Sequence, residues 1–347
     1  MDKTYIVVER QLGYYEELDI TLDPKEYSHL IPETKALVNK VVKKNMADGI
    51  LFSAGTDTTI IAYEAVKYKP DIPALTIAFK EGAPKDTQYV KKMVEFLKLK
   101  DHKTHVFDKS EALENVPKVV KALKDFDPMD IRNSLPVYIG LAILKKKGLK
   151  SVFTGDGLDE LFGYPWQFHL SEEEMAKKQQ DMWSEMGFSS IPMAQSLGME
   201  VKQPYLDPLF MDWAKKLPIK IKINMHDGEK YSKWLMRKAY EDVVPKEVIW
   251  RPKAPLEAGT GAAALHTVFE GEFTDKEFEE KKKKILQADD VKIRDKEQLL
   301  YYEAFRKIFG KPSENFPKVS GAKQCPECKS YIKTKIQFCR VCGAYPI

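Results

Sequence analysis

Between Ile50 and Thr154 the chain alternates short apolar runs with stretches whose apolar residues recur every three or four positions, the pattern of strands and amphipathic helices laid down in turn. Ile50–Ser53, Ala74–Phe79, Thr104–Phe107 and Ser151–Thr154 predict strands; Ile60–Tyr68, Asp86–Leu97, Glu111–Lys124 and Leu135–Lys147 predict helices. This alternation predicts an α/β fold, a doubly wound parallel sheet with ligands beyond the carboxyl ends of its strands. Ahead of it, Tyr5–Glu9 and Leu18–Leu22 read as short strands and Pro32–Lys44 as a helix, a lead-in over residues 1–45. Beyond Leu161 the pattern turns helical, most clearly at Glu172–Met186, Leu209–Leu217, Tyr231–Tyr240 and Asp295–Phe309, so the main domain is expected to span 46–310 with a helical carboxyl portion. The Lys281–Lys284 run reads as a solvated helix face. Residues 311–323, with two prolines, two serines and a glycine, predict a linker to a small module at 324–347.

Two strand-to-helix turns concentrate polar residues. Leu51–Thr59, Leu-Phe-Ser-Ala-Gly-Thr-Asp-Thr-Thr, points backbone N–H groups and a helix start at one spot, which favours a phosphate. Ser53, Thr58 and Thr59 add hydroxyl donors, and Asp57 can hold the magnesium that accompanies a triphosphate. The plainer reading is a link in which Asp57 or Thr58 caps the helix. No Gly-Lys-Ser/Thr follows, and the spaced glycines of a dinucleotide fingerprint are missing. The second turn, Thr154–Tyr164, reads Thr-Gly-Asp-Gly-Leu-Asp-Glu-Leu-Phe-Gly-Tyr. Asp156, Asp159 and Glu160 repel one another unless a cation offsets them, so a metal-assisted phosphate site is the economical reading and a solvated turn the alternative.

These residues resemble the synthetase domain of the asparagine synthetases and of β-lactam synthetase, members of the PP-loop ATP pyrophosphatases with an adenine nucleotide alpha hydrolase-like fold. Leu51–Thr59 is similar to their Ser-Gly-Gly-x-Asp-Ser loop, and Thr154–Tyr164 to their Ser-Gly-Glu-Gly-Ala-Asp-Glu-Leu-Phe-Gly-Gly-Tyr segment. Arg132-Asn-Ser-Leu-Pro136 stands at a related arginine- and proline-containing segment. Gly198-Met-Glu-Val-Lys-Gln-Pro-Tyr-Leu-Asp207 resembles Gly-x-Glu-x-Arg-x-Pro-Phe-Leu-Asp. Glu229-Lys230, Leu235-Met-Arg237, Pro245, Trp250-Arg-Pro-Lys253 and Gly259-Thr-Gly261 follow the closing pattern.

The resemblance implies an ATP-dependent, AMP- and pyrophosphate-forming ligase that activates a carboxylate as its acyl-adenylate for attack by an amine. Ser53, Gly55 and Thr58 would cradle pyrophosphate; Asp57 and Asp159 would hold magnesium; Leu51, Thr154 and Gly155 would border the adenosine. Lys253 and Lys230 would stabilise charge on the phosphates or in the transition state, although without the motif both read as surface lysines. Asp156 stands where the asparagine synthetases carry a glutamate that assists the amine, one methylene shorter. Ala54 replaces a glycine, which would cost about 1–2 kcal/mol if the position needs positive φ. Tyr164-Pro165-Trp166 replaces a Gly-Tyr ending. Position 2 is Asp2, where the glutamine-using members carry their nucleophilic cysteine, and no glutaminase domain fits, so ammonia, a separate amidotransferase subunit or another amine is the expected nitrogen source.

All four cysteines fall in Cys325-Pro-Glu-Cys328 and Cys339-Arg-Val-Cys342. Four thiolates at this spacing fit tetrahedral Zn²⁺ in a structural zinc ribbon. Lys323, Lys329, Lys333, Lys335 and Arg340, with Tyr331 and Phe338 between them, suit RNA or simply a solvated surface. The alternative function is therefore a PP-loop enzyme that adenylates a tRNA base, against which stands the lack of any cysteine outside the ribbon; a nucleotide-binding regulator with a decayed site is third. A net charge of +4 over 347 residues argues against a nucleic-acid-coating protein. No apolar run reaches the ~20 residues of a membrane span, and the start, Met-Asp-Lys-Thr-Tyr, lacks a signal core, so a cytoplasmic location is expected. His102 and His105 read as flanking a strand, and His169 as a surface residue.

Overall fold

The computed structural model describes residues 22–333 and 337–347. The expected strand Tyr5–Glu9 and, but for Leu22, the expected strand Leu18–Leu22 lie outside them. The centre is a five-stranded parallel sheet of β1 (Gly49–Leu51), β2 (Ala74–Phe79), β3 (His102–Phe107), β4 (Ser151–Phe153) and β5 (Glu200–Lys202), in the order β3-β2-β1-β4-β5. β2 is buried along its whole length, as befits an interior strand covered on both faces. Its side chains alternate between two cores. Leu75, Ile77 and Phe79 join helices 109–123, 128–146 and 296–309 on one face, while Ala74 joins helices 30–44, 56–65 and 234–240 on the other.

The strand order positions the site. The chain winds outward from β1 through β2 to β3, then returns to lay β4 and β5 on the opposite side. β1 and β4 are neighbours, Gly49 opposite Val152 and Ile50 opposite Phe153. The segments leaving their carboxyl ends therefore open side by side at the point where the winding reverses.

Three expectations need correction, and one strand was unforeseen. Helix 128–146 begins seven residues before the predicted Leu135, because Pro128 takes the first helical position behind the Asp127 cap and Pro136 sits inside the helix. Tyr231–Tyr240 is not one helix: Glu229–Ser232 pairs antiparallel with Ile223–His226 across Asp227-Gly228, both at positive φ, and the helix starts at Trp234. β5 was not expected. Residues 311–323 do not form an open linker: Pro312–Asn315 is helical, Phe316 O accepts from Tyr331 N at 2.9 Å, and the cysteine module is packed into the core around Phe126, Tyr302 and Phe305.

Candidate active site

The turn after β1 is tied to itself. Gly55 N donates to Ser53 Oγ at 3.2 Å, Ser53 N donates to Thr58 Oγ1 at 3.3 Å, and Gly55 precedes the first turn of helix 56–65. Ala54 has φ of +52° and is fully buried, so the strain foreseen for that position is present. The turn after β4 meets it in van der Waals contact. A Cβ on Gly155 would lie 2.8 Å from the Cβ of Asp57, so only glycine lets the two backbones approach. Tyr205, fully buried, donates to Asp57 O at 2.9 Å and fixes the first turn from below.

Asp57 and Asp159 are thereby brought to one point and share two lysines. Lys233 Nζ lies 2.5 Å from Asp57 Oδ1 and 2.8 Å from Asp159 Oδ1; Lys253 Nζ lies 2.7 Å from Asp159 Oδ2 and 3.7 Å from Asp57 Oδ2. Burial pushes the Asp159 carboxyl up, but attraction to Lys233 and Lys253 outweighs it and holds the group at about 2. Lys233 is 1% exposed, and burial lowers its ammonium despite both carboxylates. Lys253 is raised, its two carboxylate partners outweighing desolvation.

Lys253 is delivered by Arg237. Buried inside helix 234–240, the guanidinium donates to Ser232 O at 3.0 Å, to Arg251 O at 3.0 Å and to Ile249 O, which gathers the 249–253 segment over the site. Arg251 in turn pairs with buried Asp86 at 2.7 Å, and Asp86 N donates to Gly259 O at 3.1 Å. Gly82 and Gly261 touch so closely that a Cβ on Gly82 would stand 2.1 Å from Gly261 O. The result is a cavity of about 550 Å³ walled by residues 51–58, Leu75–Ile77, helix 128–146, residues 154–160 and the 251–260 segment.

The second turn presents two further carboxylates. Asp156 Oδ2 accepts from Thr154 Oγ1 at 2.7 Å, Ser190 Oγ at 2.6 Å and Gln203 Nε2 at 2.8 Å, a threefold anchor that fixes the side chain. Glu160 accepts from Tyr164 Oη at 2.6 Å, and burial raises its carboxyl.

Of the residues singled out in the sequence, Leu51, Ser53, Gly55, Asp57, Thr58, Thr154, Gly155, Asp156, Asp159 and Lys253 all line this cavity. Lys230 is a correction. It does not line the cavity, and its ammonium donates to Phe168 O at 2.9 Å. The lysine that reaches the pair beside Lys253 is Lys233, which sequence reasoning passed over. The available signal was a charge directly before Trp-Leu-Met-Arg, where all neighbours are buried. Ser190 and Gln203 were also missed, since nothing local marks them. His102 and His105 lie within β3, bound to Thr76 and Glu111, and His169 does not line the cavity.

At the other end of the chain, all four cysteine sulfurs lie within 4.8 Å of one another, and the Cys325–Cys342 and Cys328–Cys339 pairs are 3.7 Å apart. Sulfurs at the corners of a tetrahedron about 2.3 Å from zinc would be about 3.8 Å apart, so the donor set fits the metal. Of the ribbon's basic residues, Arg340 pairs with Glu185 at 3.1 Å and Lys329 with Asp290 at 3.5 Å, Lys323 and Lys333 are exposed, and Lys335 lies outside the described residues.

The Asparagine synthase family model matches residues 34–192 and 190–327. The chain is 28% identical over 321 residues to a probable glutamine-hydrolyzing asparagine synthetase of Dictyostelium discoideum, covering 82% of this chain and 56% of that protein. It is 29% identical over 238 residues to the glutamine-hydrolyzing asparagine synthetase of Gallus gallus, covering 64% and 42%. The chain thus spans about half the length of the curated relatives it matches. A solved NMN synthetase from Francisella tularensis matches at 15% identity over 56% of this chain and 97% of that one, with a TM-score of 0.27, too low to bear on the argument.

Proposed function

The chain belongs to the asparagine synthase family, and from that premise we propose that its cavity activates a carboxylate with ATP as an acyl-adenylate, releases pyrophosphate, and passes the acyl group to ammonia. The observation that carries the reading is the convergence of Asp57 and Asp159, from turns 102 residues apart, on the same two lysines. Two oxygen donors facing one another from separate turns suit Mg²⁺, a hard cation that takes carboxylate oxygens and shares itself with phosphates. Bound there, Mg²⁺ would offset charge on the leaving pyrophosphate.

The protein's own groups do the rest. Ser53, Gly55 and Thr58 offer hydroxyl and backbone donors to the pyrophosphate at the start of helix 56–65. Leu51, Thr154 and Gly155 border the adenosine. Lys253, which lines the cavity and is held in place before the reaction, stabilises the negative charge that builds as the α-phosphate is attacked, while buried Lys233 holds the two carboxylates together behind it. Asp156 is fixed by three donors and is positioned to orient the incoming amine. Ammonia reaches the adenylate either free or handed over by an amidotransferase. The four cysteines hold a structural Zn²⁺, with no ligand position left for chemistry.

The test is pyrophosphate release by the purified chain with Mg-ATP against a panel of amino acids with ammonium, glutamine or bulk tRNA. Release that depends on an amino acid and ammonium, with aspartate the first candidate, is the expected result. Release driven by tRNA alone would transfer the site to RNA modification, and no release under any condition would remove the enzyme. Asp57→Asn and Asp159→Asn should each abolish release; activity retained in either would remove the shared metal.

A further inference from the structure

The second knuckle, Cys339-Arg-Val-Cys342, is built into two segments that line the cavity. On one side Val341 O accepts from Phe126 N at 2.8 Å, and Gly343 lies so close to Asp127 that a Cβ would stand 2.3 Å from its carboxylate. Asp127 caps helix 128–146 by accepting from Met129 N at 3.1 Å, and that helix presents Met129 and Asn133 to the cavity. Cys342 O accepts from Arg294 Nη2 at 2.7 Å and from Gln298 Nε2 at 2.9 Å. Next to Gln298, fully buried Glu297 pairs at 3.4 Å with Arg132, the neighbour of Asn133. On the other side Arg340 donates to Glu185 O at 2.6 Å and to Glu185 Oε2 at 3.1 Å, with its guanidinium over Gly187. Three residues further on, Ser190 opens helix 190–196 and makes its 2.6 Å bond to Asp156.

We propose that this knuckle, closed on zinc, is a positioning brace for the cavity: it sets Asn133 from one side and Ser190, hence Asp156, from the other. A module of two dozen residues has little core of its own, so its shape depends on the metal. Losing the metal frees both segments at once, while the turn after β1, which the knuckle does not touch, keeps its form. Neither Arg340 nor Asp127 touches a reactant; each acts through the segment it holds.

The experiment uses the full chain. The cysteines of the cluster are the only four in the sequence, so 4-hydroxymercuribenzoate removes the metal without modifying other thiols, and zinc release is followed with a metallochromic dye. Hydrogen exchange is then read by mass spectrometry. The expected result is one zinc per chain and, on release, exchange at least about tenfold faster over residues 126–133 and 185–193 with little change over 50–65. Mg-ATP affinity by equilibrium dialysis should move less than about threefold, a weakening of well under 1.4 kcal/mol. Arg340→Ala should keep its zinc and loosen 185–193 alone. Unchanged exchange in both segments, a purified chain without metal, or uniform loosening that includes 50–65 would each overturn the brace. Because exchange needs no turnover, a chain that released no pyrophosphate would still give this answer.

Discussion

Replacing Lys233 with methionine keeps all but the last atom of the side chain's length and removes its charge. In the wild-type protein the ammonium sits 2.5 and 2.8 Å from two buried carboxylates, and in the variant only Lys253 would face them, at 3.7 and 2.7 Å. Removing one partner from a buried ionic cluster costs about 3–5 kcal/mol. With an unfolding entropy of about 0.7 kcal/mol per kelvin for a chain of this length, the melting temperature should fall by about 4–7 °C in EDTA. Magnesium should then act differently on the two proteins. In the variant, a divalent ion at a hundred times its dissociation constant returns about 2.7 kcal/mol. In the wild type the same ion must displace an ammonium, so the gain is smaller. Differential scanning fluorimetry with and without MgCl₂ reads both effects. A variant that melts within about 1 °C of wild type in EDTA would show that the lysine does not neutralise the pair, and magnesium that stabilised wild type and variant equally would refute the cation site.

Three further outcomes follow from the same geometry. The Asp159 carboxyl sits at about 2, below its unfolded value near 3.9, so its contribution is fully present above about pH 4 and is lost as pH falls through about 2; acid unfolding followed by circular dichroism should be shallower in that window for Asp159→Asn. Lys222 is buried beside Gln179, and desolvation lowers its ammonium to about 7, so the folded state is penalised below that pH and relieved as pH rises toward the unfolded value; Lys222→Met should raise the melting temperature more at pH 6 than at pH 10. Gly82→Ala places a methyl 2.1 Å from Gly261 O and should cost about 1–3 kcal/mol while displacing the 251–261 segment, read as a lower melting temperature and a raised KM for ATP.

The strands were legible because each is a short apolar run between polar stretches: β2 falls on the predicted residues, and β1 and β4 lie within one or two residues of theirs. β5 was not, because Glu200-Val-Lys is a three-residue edge strand that buries little and leaves no periodic trace. The two turns were legible because small and acidic residues are costly after an apolar strand unless they do something there. Lys233 was harder. It stands at positive φ between a hairpin and a helix, inside the stretch 231–240 read as one helix, while Lys230 was singled out only through the Glu229-Lys230 of the family pattern. Ser190 and Gln203 reach Asp156 from 34 and 47 residues away, a closeness set by the packing of helix 190–196 and β5 that no local pattern encodes. The cysteine spacing announced its cluster, but a detached module was the wrong picture, because the carbonyls and guanidinium that fasten it carry no signature of their own.

The paired lysines give the resting protein something a bare pair of acids would lack. With tethered cations already between them, the two turns are held together by the protein's own charges, and the like-charge repulsion that would otherwise push Asp57 and Asp159 apart is offset within the fold.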